Sequence, residues 1–308
     1  MIKSALTLCG LVALLGALLL TTGCDSMVAS RGHVVIIGVD GMSPAGIQAA
    51  STPTMDRICA EGSCTFKARA VLPTKSSPNW MSMLSGAAPT QHGVTSNAWQ
   101  RDKVGIPPSV TGMEETFPTI FGIARQQRPE IGIGAVYEWE GFIRLIESSA
   151  LDFNEVGEDA DETVAIAVEY IQGKRPELLF IQLDHVDRAG HDFAHGSPEY
   201  IAAVEKADGL VSQVIEAIAM AGISRATTVI VTADHGGTGT SHGGESMDEL
   251  LIPILVSGRN IRPGQEIEQS VNTWDTASTA AFLLGLEQPA AWIGRPVCDA
   301  IIDRKCQR

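Results

Sequence analysis

The chain has 308 residues, with 36 acidic side chains against 22 basic ones and a formal net charge of −14. That balance excludes a protein that clamps a nucleic-acid backbone, because displacing condensed counterions takes clustered Lys and Arg. With 44% hydrophobic and 19% charged residues, the chain can bury a full core, which excludes disorder and a small disulfide-held scaffold.

Lys3 precedes an apolar run from Ala5 to Leu20, followed by Thr21, Thr22, Gly23 and Cys24. The run is short for a spanning helix and reads as an export signal. Small residues before a cysteine resemble the bacterial lipoprotein processing site, which makes Cys24 the expected site of lipidation. An ordinary cleaved signal or a tilted N-terminal anchor is the alternative. The expected organisation is a signal over 1–23, a short tether over 24–32 and a single α/β domain over 33–308. The expected location is a membrane surface facing the periplasm or cell exterior, reached through the N-terminal lipid. Cys9 leaves with the signal, so Cys59, Cys64, Cys298 and Cys306 remain as an even set that export allows to pair. Three connectivities are open, and pairing Cys59 with Cys64 and Cys298 with Cys306 closes the shortest loops. No C-x-x-C occurs, so a zinc ribbon or thioredoxin-like site has no support.

From residue 33 onward, apolar runs alternate with segments of helical spacing. HVVIIGV (33–39), IGIGAVY (131–137), ELLFIQL (177–183) and ATTVIVT (226–232) read as strands buried on both faces. Helices are predicted over 53–61, 78–84, 161–171, 198–220 and 276–284. This alternation predicts an α/β fold, a mostly parallel central sheet with helices on both faces. LLIPILVSG (250–258) is a further strand, placed by Pro253 near an edge or a bulge. The stretch 97–112 lacks periodicity and suits a surface loop beside a site.

Open α/β sheets bind ligands beyond the carboxyl ends of their strands. Asp40 ends the first run, Asp187 and His191 follow the third, and Asp234 and His235 follow the fourth, with His242 seven residues on. Each has an ordinary explanation as a helix cap, an exposed i,i+4 pair or a turn residue. Three strand ends repeating carboxylate and imidazole point instead to zinc or manganese chemistry. A nucleophilic alcohol would sit among Thr74, Ser76 and Ser77, where Pro78 in the first turn of a helix offers an anion site.

VDGM (39–42), PTKSSPNW (73–80), SGAAPTQHGV (85–94), DRAGH (187–191) and ADHGG (233–237), in that order, resemble the alkaline phosphatase superfamily, most closely its type I phosphodiesterase and nucleotide pyrophosphatase branch. The resemblance covers nearly the whole chain after the signal. It implies two divalent metal ions, zinc being the usual choice. Asp40, the nucleophile, Asp234 and His235 would hold one, and Asp187, His191 and a late histidine the other. His242, the only histidine after His235, takes that last place, as in the phosphoglycerate mutase branch. Against the family pattern P-T-K-T-F-P-N, Ser76 falls on the nucleophile. Asn97, 21 residues beyond it, falls on the asparagine that donates to a phosphoryl oxygen. Trp80 and Trp99 are candidates for stacking on a base or lining a leaving-group pocket, with simple packing as the alternative. His185 and His195 flank the ligand motif as possible supporting or substrate contacts, and Asp184 as a partner for a ligand imidazole. Asp208 reads as a solvated or capping charge.

The implied activity is metal-dependent hydrolysis of a small phosphate ester through a covalent phosphoserine. Asn97, and the lack of an Arg near the nucleophile, favour a diester over a monoester. The rivals are a phosphomonoesterase of the same superfamily and an anchored non-catalytic binding protein. The sulfatase pattern Cys-x-Pro-x-Arg is absent from the nucleophile segment.

Overall fold

Seven consecutive residues from His33 to Val39, all but the first buried, can satisfy their backbone only inside a sheet covered on both faces. A computed structural model of the chain describes residues 32–103 and 105–307. The expected signal, Cys24 and the tether up to residue 31 lie outside the described residues. The strands are β1 (His33–Val39), β2 (Ser63–Arg69), β3 (Ile133–Tyr137), β4 (Phe153–Val156), β5 (Leu178–Leu183), β6 (Thr227–Thr232), β7 (Leu251–Gly258) and β8 (Gln265–Glu266). They form a single sheet in the order β4-β3-β5-β1-β6-β7-β2-β8. The run from β4 to β6 is parallel, and β7 lies antiparallel between β6 and β2.

The helices are α1 (Pro44–Ala49), α2 (Pro53–Glu61), α3 (Ser76–Ser85), α4 (Pro89–His92), α5 (Ile120–Gln127), α6 (Ala160–Lys174), α7 (His185–Phe193), α8 (Pro198–Met220), α9 (Met247–Leu250) and α10 (Asp275–Leu284). One group packs around α8, which touches α1, α2, α6 and α7; another joins α3, α5 and α10. Ser197 caps α8 by accepting from the Tyr200 N–H, and Pro198 in the first turn needs no donor partner. Among the described residues no helix is long and apolar enough to cross a membrane.

The five predicted strands are present with their ends moved by no more than two residues. Pro253 sits in an interior strand, not at an edge. Its missing N–H is tolerated because the β2–β7 register shifts between Thr65 and Ala68, opposite it. β2 and β4 were not legible in the sequence: β2 mixes buried and exposed positions irregularly, and β4 has only four residues, none fully buried. α7 also escaped, because its residues HVDRAGHDF are mostly polar and charged in place of an apolar stripe. Asp208 is buried and accepts from the backbone N–H groups of Thr54 and Met55, so it caps α2 from α8. The structure pairs Cys59 with Cys64, joining the end of α2 to β2, and Cys298 with Cys306 near the C-terminus.

Candidate active site

β1, β5 and β6 are neighbours at the centre of the sheet, so their carboxyl ends deliver Asp40, the segment leading to Asp187, and Asp234 to one place. Two groups of potential ligands result, Asp40 with Asp234 and His235, and Asp187 with His191 and His242. In the first, His235 Nε2 lies 3.4 Å from Asp40 Oδ1, 3.2 Å from Asp234 Oδ2 and 3.4 Å from Ser76 Oγ. In the second, His191 Nε2 lies 3.1 Å from Asp187 Oδ2 and 3.1 Å from His242 Nε2. The rings of His235 and His242 stack with centroids 3.8 Å apart, which makes the two groups contiguous.

Each carboxylate has one oxygen tied down and one bare. Asp40 Oδ2 accepts from Trp80 Nε1 (3.1 Å) and Gln182 Nε2 (3.4 Å). Asp234 Oδ1 accepts from the N–H groups of Gly41 and His235. Asp40 Oδ1, Asp234 Oδ2 and Asp187 Oδ1 are buried without a hydrogen-bond partner. Burial first, and then the charges of Asp234 and Asp187, push the pKa of Asp40 well above the carboxylate range; burial and Asp187 do the same to Asp234.

The imidazoles are oriented by one device used three times. Nδ1 of His235, His191 and His242 lies 2.8, 2.9 and 2.8 Å from the carbonyls of Gly236, Thr240 and Thr74. A carbonyl can only accept, so Nδ1 carries the proton and Nε2 faces the site as a lone pair. Two such nitrogens at 3.1 Å need a positive charge between them or on one of them. In the metal-free chain that charge is a proton: a hydrogen bond to Asp187 raises His191 to a pKa of about 9. Burial lowers His235 to about 3, leaving it neutral with its Nε2 lone pair facing the site. The bare oxygens of Asp40 and Asp234, the Asp187 oxygen that meets His191 and His242, and the three imidazole nitrogens at these separations fit divalent cations.

Ser76 opens α3, and its hydroxyl completes the first group. Asn97 reaches back from the loop. Its Oδ1 accepts from the Ser77 N–H at 2.8 Å, which turns its amide NH2 toward Ser76 Oγ at 3.5 Å. Thr74 is buried elsewhere, donating to the Gly244 carbonyl and accepting from the Gly243 N–H, so it secures the loop that carries His242. Gly41, at φ 67°, passes so close to Asp187 that a Cβ there would meet Oδ1 at 2.6 Å.

Two expectations are corrected. Trp80 is fully buried, packed edge-on against Phe142 and Phe180, and cannot stack on a substrate; its role is to hold Asp40. Asp184 accepts from Arg188 and holds no ligand imidazole, since backbone carbonyls fill that role. Trp99 is half-buried and lines a hollow of about 310 Å³ beside Met81, Arg101 and Arg144. His185 turns away from the site toward the Ala203 carbonyl on α8.

Three supporting residues escaped the sequence reading. Glu138, directly after β3, accepts from the N–H groups of Asp184 and His185 and so anchors the start of α7, the helix that carries Asp187 and His191. Gln182, the one polar residue in LLFIQL, accepts from the Glu138 and Trp139 N–H groups and donates to Asp40. Tyr200 donates to the Gly41 carbonyl and accepts from the Ser43 N–H, fixing the turn after Asp40. Gln182 had a signal, because a buried amide inside an apolar strand must find partners.

The Trp80 assignment carries an expected result. Trp80→Ala should cost about 3–5 kcal/mol in denaturant unfolding, whereas Trp80→Phe keeps most of the packing and loses the bond to Asp40. An Ala variant of wild-type stability but altered substrate selectivity would return the ring to the substrate.

Comparison with known proteins agrees with this geometry. The chain is 26% identical over 196 residues to mouse ectonucleotide pyrophosphatase/phosphodiesterase family member 1, covering 60% of this chain and 21% of that protein. It thus spans about a fifth of the length of that curated relative. Among solved structures, murine ectonucleotide pyrophosphatase/phosphodiesterase 5, an inactive form in complex with AMP, superimposes with a TM-score of 0.71 at 17% identity, covering 84% of this chain and 96% of that one. A 2-O glycosaminoglycan sulfatase, BT1596, gives a TM-score of 0.71 at 18% identity over 90% of this chain and 76% of that one. These likenesses establish the alkaline phosphatase-like α/β fold. The family model for type I phosphodiesterase / nucleotide pyrophosphatase matches residues 34–257, a span that includes every ligand candidate together with Ser76 and Asn97, and the chain belongs to that family.

Proposed function

We propose that the chain hydrolyses phosphodiesters or nucleotide pyrophosphates through a covalent phosphoserine at Ser76, with two divalent cations, zinc being expected. The carrying observation is the convergence of Ser76 Oγ, His235 Nε2 and the bare oxygens of Asp40 and Asp234 at the N-terminus of α3. Cations bound at the two groups would supply Lewis-acid stabilisation of the serine alkoxide and of the phosphoryl oxygens. The chain supplies the rest. Ser76 Oγ gives its proton to solvent and forms a bond to phosphorus as the bond to the leaving oxygen breaks, the leaving oxygen taking a proton from solvent; water then adds to phosphorus as the P–Oγ bond breaks, and Oγ regains a proton. Asn97 presents a neutral N–H to an equatorial oxygen, and the α3 N-terminus favours the same charge.

A neutral donor suits the single charge of a diester, and no arginine takes part in the contacts of Ser76 and Asn97. The complex of the murine relative with AMP supports a nucleotide as one substituent. Trp99 is proposed to line the space for a substituent. Zinc-loaded enzyme should therefore hydrolyse bis(p-nitrophenyl) phosphate with kcat/KM at least about tenfold above p-nitrophenyl phosphate. A clear monoester preference would favour the phosphatase alternative and leave the ligand assignments standing.

Export with lipidation at Cys24 belongs to the same proposal, supported by the two disulfides, which form in oxidising compartments. Cys24→Ser should release active enzyme from membranes. Continued retention would favour an uncleaved anchor.

A further inference from the structure

We propose that His195 is a positioning residue for the Asp187 metal ligand, which it holds by the oxygen that faces away from His191 and His242. The proposal rests on the bimetallic reading above. Asp187 Oδ2 is the oxygen that meets His191 at 3.1 Å and His242 at 3.6 Å. Its Oδ1 is buried without a hydrogen-bond partner, and His195 Nε2 lies 3.8 Å from it. The His195 side chain is only 4% exposed, and neither ring nitrogen has a hydrogen-bond partner. Buried polar atoms left bare on both sides of one short gap are complementary: the imidazole can donate from Nε2, and the carboxylate can only accept. At 3.8 Å this is not yet a hydrogen bond, and a slight rotation of either side chain makes it one.

The surroundings are shaped for this ring. A Cβ on Gly190 would lie 2.5 Å from His195 Nε2, and one on Gly237 would lie 2.1 Å from it, so the Nε2 edge occupies a slot between two glycines. Neither glycine has a positive φ, so their backbones do not demand the missing side chain; the ring does. Ala194, just before His195, is held at φ 82°, a conformation that L side chains rarely adopt, and it turns the chain back at the end of α7. The His195 N–H is then fixed to the Gly239 carbonyl at 2.7 Å, and Tyr200 packs against the ring at 5.0 Å. Fixing Asp187 Oδ1 leaves Oδ2 as the only oxygen free to face the two imidazoles, which is how groups behind a ligand set its affinity.

The test measures zinc affinity on the full chain by competition with a chelator of known strength, resolving two dissociation constants. His195→Ala and His195→Leu should weaken one of the two ions by about 10–100-fold and leave the other unchanged. His195→Gln, which keeps a side-chain N–H donor, should retain most of the lost affinity. The Leu and Gln pair decides the matter if the Ala variant does not fold, because a ring that only fills space predicts Leu above Gln. Two ions held at wild-type affinity in His195→Leu, or an equal loss in His195→Gln, overturns the proposal alone. Wild-type protein that binds fewer than two zinc ions overturns the bimetallic reading and the proposal with it. If no substitution at 195 folds in either metal state, the residue belongs to packing and the proposal falls.

Discussion

Ser76→Ala should lower kcat by roughly 10⁴-fold or more while leaving the fold and most of the metal affinity in place. The hydroxyl is a single donor beside Asp40, Asp234 and His235, and removing it takes one oxygen from a small residue that is 5% exposed. The Thr74 hydroxyl cannot substitute, because it is committed to Gly244 and Gly243. Thr74→Ala should act differently, by loosening the loop that carries His242, so its loss should be smaller and should diminish at high zinc concentration. Steady-state kinetics of both variants across a zinc titration checks this. A Thr74→Ala enzyme that is dead at saturating zinc, beside an active Ser76→Ala enzyme, would move the nucleophile and remove the role given to Asn97.

Chelation should abolish activity and lower Tm, by an amount that depends on pH with a definite sign. One ion bound at 1,000 times its Kd stabilises by about 4 kcal/mol, which in a chain of this size corresponds to a Tm shift on the order of 10 °C. In the metal-free chain the pKa values of Asp40 and Asp234 are raised in the folded state by burial and by neighbouring carboxylates. The folded state therefore binds their protons more tightly than the unfolded state does. Their contribution is most favourable below the unfolded carboxylate value of 3.8 and is lost as pH rises through the raised folded values. Asp187, held below its usual range by the hydrogen bond from His191 in spite of burial, works in the opposite sense at lower pH. Cations replace those protons, so zinc affinity should climb with pH. The Tm gap between zinc-loaded and metal-free protein should then widen from about pH 5 to pH 8. Calorimetry of both forms across that range is the measurement. A gap that narrows with pH would mean that Asp40 and Asp234 do not bind cations in competition with protons.

Much of the candidate site was legible in the sequence, and the reason is local. Apolar runs buried on both faces announce their own ends, and Asp40, Asp234 and His235 are the first polar residues after VVIIGV and TVIVTA. DRAGH placed Asp187 and His191 one helical turn apart, a spacing that puts both on one face of α7. The family resemblance supplied the register of Ser76 and Asn97, which spacing alone left open among Thr74, Ser76 and Ser77. Where the sequence misled, as with Trp80, it showed an aromatic next to a nucleophile but not which way the ring turned. On α3 the ring points into Phe142 and Phe180, and only its N–H reaches the site.

What the sequence determined by itself is the alternating α/β pattern, the acid and imidazole residues at the strand ends and the even set of four cysteines, because each depends on periodicity or on neighbours along the chain. The resemblance had already placed His242 with Asp187 and His191; what the tertiary structure adds is how it gets there, the loop after β6 folding back so that its Nδ1 leans on the Thr74 carbonyl, 168 residues away. It also decided that Glu138, Gln182 and Tyr200 brace the candidate ligands and the segments that carry them. Their partners lie on other elements, and a contact between distant residues leaves no period in the sequence.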